Sequence, residues 1–175
     1  MIRKALVLLL VGAVCPLSAA ADDTVARFKG GIGVIPVSSG QGTAATATVV
    51  NRNIVRSVQP AGQLWAIASL DATVRASGQI SVKGKGLILA GGSSAGRATG
   101  QSVFATLMCE VADASTQHSS NLAGVPLAAN GDFEIDDVLS ALPLPLDCAS
   151  PMLLIRNAAN SSWFAVGLVK QDNDD

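Results

Sequence analysis

No stretch beyond the first 21 residues holds a 3.6-residue apolar period free of Gly and Pro, whereas several runs alternate apolar and polar side chains with a period of two. A chain patterned in this way buries its apolar side chains as strands, each with one face turned to a core. Around Ser77-Gly78, Val74 and Ala76 share a face with Ile80, Val82 and Gly84, while Gln79, Ser81, Lys83 and Lys85 take the other, which predicts a hairpin with one wet face. Residues 101–111 repeat the pattern, with Val103, Ala105, Leu107, Cys109 and Val111 inward and Ser102, Thr106 and Glu110 outward. Asn130-Gly131 is a tight-turn dipeptide followed by Phe133 and Ile135, which alternate with Asp132, Glu134 and Asp136.

Two further runs, 152–156 and 163–169, flank the polar segment 157–161 and predict a more deeply buried hairpin. Strands are also expected at 28–37, 47–50, 54–58 and 64–70. About eight to ten strands in all favour a single-domain antiparallel β-sandwich, with a partly closed β-barrel as the alternative. The Gly-, Ser- and Ala-rich segments 38–46, 90–100 and 112–124 are expected as loops.

The beginning of the chain reads differently. Arg3 and Lys4 precede an apolar run over 5–14, and Ala19-Ala20-Ala21 supplies a small-residue cleavage site, so residues 1–21 are expected to be a secretory signal peptide. The run is too short for a membrane span, which needs roughly twenty apolar residues. The domain then covers 22–170, and 171–175 form a solvated acidic tail. Cleavage leaves Cys109 and Cys148 of the three cysteines in an oxidising compartment, secreted or periplasmic, where they are expected to pair. In the chain-entropy picture the bridge contributes about 4 kcal/mol.

Acidic and basic residues nearly balance, 13 against 12, without a basic stripe, which excludes a nucleic-acid partner. The sharpest catalytic pattern is Gly92-Ser93-Ser94-Ala95-Gly96, a G-x-S-x-G string, with Asp113 and His118 following in the order of a Ser, acid, His triad. That motif requires a helix directly after the serine, and residues 97–100 instead lead into a strand. A flexible loop is therefore the stronger reading of Ser94, and an exposed loop position that of His118. With one histidine in the chain, a zinc or copper centre is not expected. Asp132, Glu134, Asp136 and Asp137 are weak Ca²⁺ candidates, because carboxylates at alternate strand positions stand about 7 Å apart, and a solvated face is the simpler reading. Trp163 is expected in the core and Trp65 near a rim, too few aromatics for a sugar-stacking platform. No cofactor is expected.

The strings Arg27-Phe28-Lys29-Gly30-Gly31-Ile32-Gly33-Val34-Ile35-Pro36-Val37, Asn130-Gly131-Asp132-Phe133-Glu134-Ile135-Asp136-Asp137 and Leu153-Leu154-Ile155-Arg156-Asn157, followed by Trp163-Phe164-Ala165, resemble a group of short secreted bacterial proteins of unassigned activity. The resemblance implies an exported bacterial protein and carries no catalytic motif. More loosely, the chain is similar to prealbumin-like and immunoglobulin-like sandwiches, a likeness of fold alone. The expectation is a secreted or periplasmic, non-catalytic binding or structural protein whose partner is an extracellular or envelope protein. The alternatives are a small serine hydrolase using Ser94 and His118, and an envelope or fibre subunit that assembles by strand addition.

Overall fold

A computed structural model describes residues 23–41, 49–111, 114–145 and 148–170. The expected signal peptide, the acidic tail and Asp113 lie outside the described residues. Within them are thirteen strands and no helix: β1 (Thr24–Gly33), β2 (Val37–Gln41), β3 (Val49–Arg52), β4 (Trp65–Ala66), β5 (Ser69–Arg75), β6 (Gln79–Lys85), β7 (Ile88–Leu89), β8 (Ser102–Val111), β9 (Ala114–Ser119), β10 (Val125–Pro126), β11 (Phe133–Val138), β12 (Ala149–Asn157) and β13 (Trp163–Val169).

Nine of the strands form one antiparallel sheet in the order β10-β8-β12-β13-β1-β5-β6-β11, with β9 pairing the rest of the β8 edge that β10 begins. The sheet is curled into a half-barrel, and β10 and β11, at opposite ends of the order, come side by side without a ladder. The strand count exceeds the expected eight to ten. The preferred sandwich of two opposed sheets is not confirmed: the structure has one continuous curled sheet, accompanied by the short ribbons β2–β3 and β4–β7.

Alternation places Val103, Ala105 and Leu107 of β8 on the concave side. Leu153 and Ile155 of β12, Ala165 of β13, Leu70 and Val74 of β5, Val82 of β6 and Ile135 of β11 join them in the core. Curling a sheet this tightly needs small residues opposite large ones. Gly84 is the cross-strand partner of Phe133, and a Cβ at Gly84 would run into the Phe133 ring.

The hairpin at Ser77-Gly78 forms as expected between β5 and β6, although Ala76 falls in the exposed turn. The second hairpin, β12 with β13, also forms. Residues 28–37 and 64–70 each divide between two strands, whereas 54–58 is a turn in which Val55 and Val58 exchange hydrogen bonds of 3.0 and 2.8 Å. Arg56 and Ser57 stand at φ 43° and 69° in this turn, a left-handed pair that costs side-chain-bearing residues energy. Arg56 offsets that cost by donating to the carbonyl oxygens of Met108 at 3.2 Å and Ser150 at 2.8 Å, and by pairing with Glu110 at 3.0 Å.

The turn belongs to a segment, 53–61, that lies across the convex face of the sheet. Trp163 Nε1 donates to the Asn53 carbonyl at 3.0 Å, and Ala61 N donates to the Trp163 carbonyl at 3.1 Å. The wet face expected for 101–111 is thereby corrected, since Phe104, Thr106 and Met108 are as buried as the residues opposite. Period-two patterning cannot register a cover supplied from fifty residues upstream. Cys109 on β8 is joined to Cys148 just before β12, with Cα atoms 4.7 Å apart, closing a span of 39 residues.

Candidate functional site

The site begins with two aromatic residues brought together by the ribbon β4–β7 and the hairpin strand β13. Trp65, paired with Leu89, and Phe164 stack with ring centroids 4.1 Å apart and planes 15° from parallel. Trp65 is only 5% exposed, so the rim position expected for it is corrected to the floor of a cleft. Over this floor, loops from the regions 59–63, 90–101 and 157–162 converge on a cavity of about 280 Å³, with Gln63, Thr99, Gln101, Asn157, Asn160 and Ser162 in its wall. No charged side chain lines it.

The wall is prepared by its own hydrogen bonds. The Asn157 side-chain oxygen accepts from Ala159 N at 2.8 Å and Asn160 N at 3.1 Å, which folds the loop between β12 and β13 into an Asx turn. Its amide nitrogen donates to Gln101 Oε1 at 2.6 Å, tying that loop to the start of β8. Asn160 Oδ1 accepts from both the backbone N (3.1 Å) and the hydroxyl (2.7 Å) of Ser162. What remains outward is a set of amide donors on Gln63 and Asn160 above an aromatic floor, suited to an uncharged hydrogen-bonding group.

A larger depression of about 580 Å³ lies against β5, β6 and β11, bordered by Thr73, Arg75, Gln79, Ser81, Asp136 and Asp137. Its charges are largely engaged within the fold. Arg75 pairs with Asp23 at 2.8 Å, and Asp137 accepts from Asn121 N at 2.7 Å and Val138 N at 2.8 Å. The other acids of the group are dispersed: Asp132 caps Gly86 N at 3.0 Å, Glu134 pairs with Lys83 at 2.9 Å, and Asp136 is exposed. The hydrogen bond to Glu134, reinforced by its charge, raises the Lys83 amine above its ordinary range. Among the described residues no three His, Cys, Asp or Glu side chains converge to hold a metal ion.

Ser94 sits in a string of tight turns, in which Ala95 N donates to Gly92 O and Arg97 N to Ser94 O, each at 3.2 Å, and no helix follows it. His118 is elsewhere. The loop expected at 112–124 contains β9, and His118 is a buried residue of that strand paired with Leu107, which corrects its expected exposure. Its Nδ1 lies 3.0 Å from the Ala141 carbonyl and 3.3 Å from that of Ser140, and Nε2 lies 3.1 Å from Thr116 Oγ1. No hydrogen bond joins it to Ser94, and Asp113 is outside the described residues.

Sequence reasoning passed over Arg156. It follows Leu153, Leu154 and Ile155 in an apolar run, where a long cation signals a particular local environment, and that was the available clue. The fold and cleft define an all-β protein with a disulfide from β8 to the residue before β12 and a neutral, aromatic-floored recess. No protein-family model, no curated protein and no solved structure matches the chain.

Proposed function

We propose that the chain is an exported, non-catalytic binding protein of the bacterial periplasm or exterior, and that the cleft over Trp65 and Phe164 is where it binds. The observation that carries this reading is the uncharged wall of Gln63, Gln101, Asn157 and Asn160 over a stacked aromatic pair, on loops braced by an Asx turn. Such a recess recognises hydroxyl- or amide-bearing groups through directional bonds and a flat apolar contact. Pairing of Cys109 with Cys148 supports an oxidising compartment, and the separate engagements of Ser94 and His118 support a role without catalysis. Binding through the loops of a rigid sheet is the ordinary division of labour in all-β recognition domains.

Gly62 provides the test, because it borders the cleft and a Cβ there meets nothing within 4 Å. A panel of neutral saccharides and capped peptides is titrated while the Trp65 indole N–H resonance is followed. The expected result is a saturable shift of that resonance in the parent protein, absent in Gly62→Phe, which adds a ring at the cleft's border. A panel without a saturable shift, or binding that survives Gly62→Phe, refutes the assignment.

A further inference from the structure

Arg156 projects from β12 onto the convex face, where its guanidinium carbon stands 5.2 Å from the centroid of the Phe104 ring on β8. Three acceptors orient it: Nε donates to the Ser161 carbonyl at 2.8 Å, and Nη1 donates to Gln117 Oε1 at 3.1 Å and Thr106 Oγ1 at 3.4 Å. These account for three of the five N–H groups of a guanidinium. The two on Nη2 have no partner among the described residues, yet no buried side-chain nitrogen or oxygen lacks a partner, so Nη2 reaches the surface. No carboxylate pairs with Arg156 among the described residues. Burial alone pulls its affinity for a proton down.

A half-buried cation is helped by a counter-charge, and a guanidinium held in plane by one edge and one face is already arranged to receive it from outside. Arg56, another half-buried arginine, shows the contrast, since it is closed by Glu110 and two carbonyls. We propose that Arg156 is a receptor for an oxyanion, a carboxylate or phosphate group of a ligand, held by Nη2 on the convex face. The site is separate from the cleft, whose wall does not include Arg156, and does not depend on the cleft reading.

The experiment titrates sodium acetate and inorganic phosphate, at constant ionic strength, against the folded chain while the Arg156 Nε–H resonance is followed. Three variants run in parallel. Arg156→Gln removes the charge. Arg156→Lys keeps the charge and loses the fork. Gln117→Glu, on the exposed side of β9, places an internal carboxylate where an amide oxygen now accepts, without removing any group from the core. The expected result is a saturable shift with a millimolar midpoint in the parent protein. It should weaken at least tenfold in Arg156→Lys and vanish in Arg156→Gln and Gln117→Glu. Tighter acetate assigns the site to carboxylates and tighter phosphate to phosphoryl groups. A shift that never saturates, or one matched at exposed Arg97, is a general ionic effect and overturns the proposal. Saturable binding that survives Gln117→Glu in a folded variant overturns it as well, because the internal carboxylate then fails to compete.

Discussion

His118 illustrates how one interior polar side chain is accommodated. Carbonyl oxygens only accept, so Nδ1, which faces the carbonyls of Ser140 and Ala141, carries the proton. The imidazole thus fastens β9 to the segment after β11, and it has no nitrogen to spare for an attacking serine. Replacing it by Phe keeps the ring volume but removes the bonds to the Ser140 and Ala141 carbonyls, while the Thr116 hydroxyl keeps the Cys109 carbonyl as an acceptor at 3.4 Å. Urea denaturation should show a loss of about 0.5–1.5 kcal/mol for His118→Phe. Gly131 carries a different requirement. It stands at φ 83°, and a Cβ there would meet the Leu87 backbone, whose amide donates to the Gly131 carbonyl at 3.0 Å. Gly131→Ala is expected to destabilise by about 2 kcal/mol or more, measured the same way, whereas Gly96→Ala, with open space around it, pays only the backbone conformational cost.

Among the elements, β8 and β12 form the longest ladder, and the bridge from Cys109 to Cys148 joins them near one end. Replacing both cysteines by Ala should lower unfolding free energy by about 4 kcal/mol in the loop-entropy picture, less if the unfolded chain stays compact. A chemical-denaturation midpoint that does not move would show the bridge to be dispensable. Elements whose partners are near in sequence were legible beforehand. The β5–β6 hairpin, the β12–β13 hairpin and the alternation of Phe133 and Ile135 all follow from local period and turn chemistry. Elements that depend on distant cover were not. Thr106 read as part of an outward face because Arg56, which lies over that side of the sheet, belongs to another part of the chain. Polar β9 looked like a loop because Ser115, Thr116, Gln117, His118 and Ser119 carry no apolar alternation, and pairing with β8 makes them a strand. The candidate cleft was illegible for the same reason. Gln63, Gln101 and Asn160 are unremarkable in sequence and acquire meaning only when three loops meet above Trp65.

At the scale of the molecule, one sheet carries most of the core, so protection against hydrogen exchange should follow position in the sheet order. The slowest amides are expected in the central strands, at 153–155 and 104–107, whose two faces are both covered. The amides of Ser115 and Gln117, turned away from β8 on an edge, should exchange far sooner. An even profile across these strands would contradict a single graded sheet. The order has one more consequence. The first strand, β1, lies between β13 and β5, with Phe28 opposite Val169, so one side of it stays open until about 140 further residues have been made. A ribosome releasing this polypeptide therefore delivers a strand that must wait for the last one before its ladder is complete. The sheet can therefore close at β1 only once β13 has been made.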